Sequence, residues 1–593
     1  MLQRLEARLG EVARRKRLAI LLSGLAPLVL RALLLPWLPV PNPRVQDEFS
    51  HLLVADTFAH GRLVNPVHPM WVHFESMHIL VRPVYASVFP AAQGLIMAAG
   101  QALTGSPWIG VWLSVGFLCA SLCWMLQGWV SPQWALLGAA LAVARFGVFS
   151  YWMNSYYGGA VAAAGGALAL GALSRVFRRR NWRDAAVMGA GLAILANSRP
   201  YESLVLSLPL LAALIWLIRV RPARLAIVMP LILVLGTAAV ATGYYFSRFS
   251  GNPFRLPYSF YRTNFTVAPH FIWQSPRPEP EFHHRVLRDF YMGWEMDCYA
   301  DARANRPPHG VFDKAKSYWR FYLGPFLTIP FVTLPWLWRR RRTRLLLLTG
   351  VLFSIGLAVE VWNAPHYAAP ATGLAMLLVI EALRHLRQAA GAFPVRAIVV
   401  ACILTPVIGG NGHPTGGADR ARILKQLESM AGRHLVLVRY RLNHDVGDEW
   451  VYNSAGIDGA PVVWAREMDP ASNRDLIRYF RDRRVWLVEP DTTRVVSPYD
   501  PSQPPDPPFR FVKLGTQAIQ VLRSPDEVKL KILQEVAREY PQPRAFSCDQ
   551  WNYFFSDVTA VEGPDPSQGC FSLGKPGQAI PFDQWFAWLE TQR

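Results

Sequence analysis

Two adjacent acids, Asp47 and Glu48, stand about seven residues beyond the last apolar residue of a long hydrophobic run, within "LLLPWLPVPNPRVQDEFSHLLVADTFAHGRL" (33–63). Carboxylates so close to a bilayer are costly to dehydrate and usually mark a task. The segment "DEFSHLLVADTFAHG" has helical periodicity, with Phe49, Leu52, Leu53 and Phe58 on a face that can meet the membrane. That sets both acids at a helix start, where the ionised form is favoured. A carboxylate there, facing a water-filled cavity, can take a proton from an acceptor hydroxyl. It can equally be a helix cap, with Asp47 as the capping residue.

The surrounding chain must position those acids. Its 593 residues are 52% hydrophobic and include 22 Trp. Eleven apolar runs are candidate spans: 18–40, 108–127, 132–150, 158–177, 185–197, 204–218, 225–246, 318–338, 345–362, 368–383 and 395–409. So many runs argue against a soluble core. The net charge of +20 has a nucleic-acid reading and a membrane reading. Arg and Lys crowd 14–17, 175–183, 219–224, 339–344 and 384–387, whereas the alternate loops "YWMNSYY" and "EVWNAPHY" carry none. With the N-terminus in the cytoplasm, every basic cluster falls inside, so the charge sets orientation and no nucleic acid is expected as a partner. The run 91–105 is short for a span, and counting it would move later arginine clusters outside. It is expected to be a helix on the outer face. The first run is followed by Pro-rich sequence without a small-residue cleavage site, and reads as a permanent anchor.

The expected organisation is a basic amphipathic cytoplasmic segment (1–17), a transmembrane module (18–410) and a non-cytoplasmic domain (411–593). Within the module, 41–107 forms a first outer loop with the acidic pair and 247–317 a second. In 411–593, "HLVLVRY", "APVVWAR" and "VWLVEP" read as strands, and "SNRDLIRYFRDR" and "SPDEVKLKILQEVAREY" as helices, which suggests an α/β domain. "LNHDVGDEW" reads as a solvated turn. Cys119, Cys123 and Cys402 fall in apolar runs, Cys298 has no evident partner, and Cys548 and Cys570 can pair as a disulfide. "GGAVAAAGGALALG" is a small-residue face suited to close helix packing.

The layout resembles the polytopic GT-C glycosyltransferases that use polyprenyl-phosphate sugars, among them protein O-mannosyltransferases and lipid A aminoarabinose transferases. "DEFSHLLVADTFAHGRL" resembles that family's acidic motif, "FPAAQGLIMAAGQALTG" its outer-surface helix, and "HYAAPATGLAMLL" its late motif of an aromatic, a proline and a hydrophobic span. The likeness runs from residue 18 to about 385 and leaves 411–593 uncovered. It implies a polytopic α-helical membrane protein with about eleven transmembrane helices, here followed by a periplasmic α/β domain. The protein would sit in the inner (plasma) membrane with its N-terminus cytoplasmic. Its donor would be a polyprenyl-phosphate-linked sugar and its acceptor a glycan, lipid or protein of the envelope, with membrane lipid around it. Asp47 would be the catalytic base, with Glu48 supporting it or binding acceptor. The family often has a second acid in the loop between the third and fourth spans, where this chain has Asn154.

A phosphate leaving group calls for positive charge, and arginine's planar fork matches phosphate oxygens. Arg199 in "LANSRPYESL" and Arg145 in "LAVARFGVFSYW" are the donor-phosphate candidates, with Arg31 a weaker one. Their plain alternative is snorkelling, or pairing with Glu202 or Glu360. His366 and Tyr367 can touch phosphate or sugar, or can be interfacial residues. His73, Glu75, His78, Arg82 and Asn154 are candidates for acceptor or sugar binding, or for loop packing. His73, Glu75 and His78 lack a recognised zinc spacing, so no metal site or cofactor is assigned, and a divalent metal stays open. Two other functions fit the same spans: a lipid or polysaccharide transporter or flippase, for which internal symmetry is lacking, and a non-catalytic envelope-assembly protein.

Overall fold

Five helices among the described residues are long and apolar enough to cross a membrane: Pro107–Gln127, Ala160–Arg179, Pro200–Val220, Leu225–Ser250 and Pro365–Ala390. The structure is a computed structural model that describes residues 2–220, 224–408, 417–441 and 444–502, and beyond them only short strands within 510–581. A pair of helices bent by 97°, Val311–Tyr322 and Gly324–Arg339, makes a sixth span if counted as one. The expected eleven are not all of this length. Lys16–Leu33 carries Lys16, Arg17 and Arg31; Trp182–Ala196 has 15 residues and Ala392–Ile408 has 17. The 132–150 run stops being α-helical at Ala142 and gives way to a π-turn at Val143–Gly147. The 91–105 run is a separate 14-residue helix, Ala91–Thr104, stopped by Gly105 in the left-handed region.

The chain divides into two units, Met1–Ala421 with Tyr452–Ala460, and Arg422–Val451 with Pro461–Arg593. The first unit is helical. On its Arg224–Ser250 helix, Ile232, Leu233 and Val240 are 62, 70 and 74% exposed. Apolar surface of that extent is stable against hydrocarbon and costly against water. The Ala160–Arg179 helix is the opposite, buried along nearly its whole length. Its small residues let neighbours approach closely. A Cβ on Gly191 of the adjoining Trp182–Ala196 helix would lie 2.7 Å from the Ala169 nitrogen and 2.8 Å from the Gly165 carbonyl. Gly166 leaves room for the carbonyl of Pro370, which a Cβ would strike. The 3₁₀ turn Pro365–Ala371, bearing His366 and Tyr367, therefore rests directly on this helix.

The second unit contains a four-stranded sheet in the order Val462–Arg466, Arg433–Val438, Arg483–Val488, Val496–Pro498, the first three parallel and the last antiparallel. The first two strands are almost continuously buried, as parallel strands covered on both faces must be. The Pro470–Tyr479 helix starts on Asp469, whose side chain accepts from the N–H groups of Ala471 and Ser472. Strand and helix thus fall where the α/β reading put them over 433–488. The turn read as solvated is so only in part: Asp445 is exposed, whereas Glu449 at its end is 2% exposed and meets Arg466 of the neighbouring strand at 2.7 Å. The expected helix at 524–540 and the Cys548–Cys570 pairing lie outside the described residues.

Candidate functional site

The acidic helix is held by two neighbours of unlike chemistry. Arg31, fully buried, donates from Nε to Asn154 Oδ1 at 3.0 Å and from its terminal nitrogens to the carbonyls of Leu38 (2.5 Å) and Pro39 (2.9 Å). Asn154 in turn donates to the Val148 and Ser150 carbonyls at 2.8 and 2.9 Å. Together they join the Pro-rich stretch before Asp47 to the 148–157 loop. Arg31 and Asn154, candidates for phosphate and acceptor contact, are spent in that joint.

The helix itself runs Gln46–Ala59. It is Glu48, and not Asp47, that caps it. Glu48 Oε2 accepts from the N–H groups of Arg44 (2.9 Å) and Val45 (3.3 Å), and Oε1 from that of Tyr156 (3.2 Å). The carboxylate thus satisfies orphan helix donors and also ties in the 148–157 loop. Burial pushes its pKa up to about 7, against the pull of those three N–H groups. Phe49 and Leu53 do not face lipid as expected: both are fully buried, and Phe49 stacks on Tyr452 at 4.9 Å.

Asp47 is left open. Its side chain is 29% exposed, and its Oδ1 lies 2.6 Å from His78 Nδ1. Burial raises its pKa, but the imidazole of His78, by charge and by hydrogen bond, outweighs burial and holds the carboxyl below its ordinary value. His51 sits one turn further along the same helix, stacked on Phe89 at 4.6 Å. Burial drives His51 down to about 3, so it is a neutral ring.

Arg199 supplies the positive charge. Its guanidinium lies over the Tyr367 ring, 4.4 Å from the centroid, and 3.9 Å from Glu202, too far for a hydrogen bond. Burial opposes its charge, and Tyr367, Glu202 and Asp47 more than restore it. His366 shares a hydrogen bond of 3.1 Å with Tyr151 and feels both Arg199 and Asp47. Asp47 on His78, and Arg199 on Tyr367 beside His366, therefore lie within electrostatic reach of one another.

The remaining candidates go elsewhere. Arg145, in the π-turn, donates to the carbonyls of Arg320 and Phe321 and so caps the end of the Val311–Tyr322 helix. Glu75 turns to His283 (3.1 Å) and His284 (3.6 Å), and Arg82 lies over Trp71, 3.5 Å from its centroid. His73 is buried in the 3₁₀ turn Trp71–Phe74. His73, Glu75 and His78 are not brought together, and among the described residues no three His, Cys, Asp or Glu side chains are grouped to hold a metal. The sequence reading passed over His51, although its spacing of four from Asp47 puts both on one helix face. It also passed over Tyr157, in the 148–157 loop, and Tyr258, on the Pro257–Phe265 helix, which carry no motif and are distant in sequence.

No family model matches the chain, and no curated protein does. Among solved structures it is similar to the oligosaccharyltransferase of Archaeoglobus fulgidus. The crystal structure of that enzyme with Zn and sulfate shares 11% identity at a TM-score of 0.36, covering 71% of this chain and 60% of that one. The archaeal oligosaccharyltransferase AglB with an inhibitory peptide and a dolichol-phosphate shares 11% at a TM-score of 0.37, covering 71% and 62%. The chain thus spans about three fifths of the length of these proteins. A likeness this remote assigns neither family nor activity.

Proposed function

We propose that the chain is a membrane glycosyltransferase of the GT-C type, moving a sugar from a polyprenyl-phosphate carrier to a hydroxyl-bearing envelope acceptor. The observation that carries this reading is an open Asp47, relieved of capping by Glu48 and held on His78, within electrostatic reach of Arg199. The acceptor oxygen attacks the anomeric carbon while its proton passes to Asp47. The bond from that carbon to the phosphate oxygen breaks, and the phosphate keeps the electron pair. Arg199, with His366 and Tyr367 beside it, stabilises the charge that builds on the phosphate. One base and one displacement give inversion at the anomeric carbon. The site faces the non-cytoplasmic side in the orientation set by the basic loops.

The test is transfer from a labelled polyprenyl-phosphate sugar to extracted envelope lipids and glycans by the purified, reconstituted chain. Asp47→Asn is expected to lower kcat by about 10²–10⁴-fold without loss of thermal stability. Near wild-type turnover by that variant would remove Asp47 from its role. Movement of labelled lipid across proteoliposomes with no sugar transfer would favour a flippase.

A further inference from the structure

We infer that His78 is the positioning residue for Asp47: its imidazole holds one carboxylate oxygen so that the other is presented to the acceptor's proton. The inference rests on the glycosyl-transfer reading above. A nitrogen and an oxygen 2.6 Å apart must share a proton, so Nδ1–H donates to the ionised Oδ1. Among the described residues no side chain or N–H group donates to Oδ2. Asp47 is also the more open partner, with 29% of its side chain exposed against 11% for His78. The carboxylate, and not the ring, is therefore the group that meets substrate.

The loop around His78 is fixed to the acidic helix a second time. Ser50, three residues along from Asp47 on the same face, donates its Oγ–H to the His78 carbonyl at 2.6 Å. The rings of Phe89, Phe290 and Tyr261 surround the imidazole with centroids at 5.4, 5.6 and 6.4 Å. His78 also adopts φ +57°, a left-handed backbone that residues with a Cβ avoid. Glycine or asparagine would take that conformation more easily, yet a histidine stands there with its ring on Asp47. Strain of this kind persists where the surroundings over-determine it, and it clusters at functional sites.

The groups that face Asp47 are His78 from its loop, His51 from its own helix, His366 and Tyr367 from the Pro365–Ala371 turn, and Arg199, Tyr157 and Tyr258, with Glu48 beside it. His78 is faced by Asp47, His51, Tyr261 and Tyr291. After burial, His78 is the largest influence on the Asp47 carboxyl, and it stabilises the ionised form.

The experiment is the pH–rate profile of sugar transfer by the reconstituted full chain, with His78→Ala and His78→Gln. His78→Ala is expected to lower kcat by about 10–100-fold with KM nearly unchanged, as loss of an orienting partner does. It should also move the acid limb to higher pH, because the Asp47 carboxylate loses a donor. His78→Gln, whose amide N–H can reach the carboxylate, should recover much of the rate. A uniform loss at every pH, or a raised KM at constant kcat, would overturn the assignment. If alanine at this backbone prevents accumulation, His78→Asn, which tolerates the left-handed conformation, is read by the same criteria. A wild-type chain with no transfer would strike the glycosyl-transfer reading and the inference together. A wild type that transfers, with an unmoved acid limb in the variants, would strike only His78.

Discussion

Two regions of the molecule set a carboxylate and an arginine in the same neighbourhood, buried in one and part-exposed in the other, and treat them in opposite ways. In the second unit, Glu449 and Arg466 close on one another at 2.7 Å, and the hydroxyl of Tyr440 and the N–H of Val451 fill the rest of Glu449. In the first unit, Asp47 and Arg199 sense each other without closing, and each is held by an aromatic or imidazole ring instead. In the first arrangement the carboxylate's acceptor capacity is taken up within the unit. The second keeps acceptor capacity on the acid and a guanidinium turned to a ring face, which is what a reacting pair needs.

That contrast can be broken by mutation. The largest effect is expected at the closed pair. Arg466→Ala should cost the second unit about 3–5 kcal/mol, the penalty for stranding a buried carboxylate, read by chemical denaturation. Sugar transfer per folded molecule should change little. The open pair should respond the other way. Arg199→Lys keeps the charge but loses the planar fork, and should lower transfer about 10–100-fold with melting unchanged, measured as kcat/KM for the donor. A loss of stability there instead would show that Arg199 is structural like Arg466.

Glu48 sharpens the comparison at the smallest scale, because it lies next to Asp47 yet behaves like Glu449. Glu48→Gln keeps one acceptor oxygen for the cap, sets an NH2 where the second oxygen now accepts, and should leave transfer within about two-fold of wild type. Its signature is in pH. The carboxyl is raised in the fold, from an ordinary 4.5 to about 7, so its stabilising contribution is complete below pH 4.5 and is lost as pH rises through 7. The amide cannot titrate, and thermal unfolding of Glu48→Gln should lose that slope.

Much of this was legible in the chain because it depends on local pattern. The helix bearing Asp47, the Ala91–Thr104 helix, the small-residue helix and the parallel strands all follow from periodicity and composition. What sequence could not give was partnership across distance. Which of Asp47 and Glu48 caps the helix depends on Tyr156, more than a hundred residues away. That Arg145 caps a helix while Arg199 stays at the site depends on where the Val311–Tyr322 helix ends. His78 reads as one histidine among several until its loop folds back onto Asp47. Eleven apolar runs of unequal length read as spans, and charge within Lys16–Leu33 and the π-turn after Ala142 interrupt two of them.

The contact between Gly166 and the Pro370 carbonyl has a mechanical meaning. A single hydrogen atom at residue 166 sets how deep the tyrosine beneath Arg199 can sit. The turn that carries the ring under Arg199 is thus seated by a helix crossing at some remove from that ring. Any methyl group added there must push the Pro370 carbonyl, and the turn with it, away from the helix.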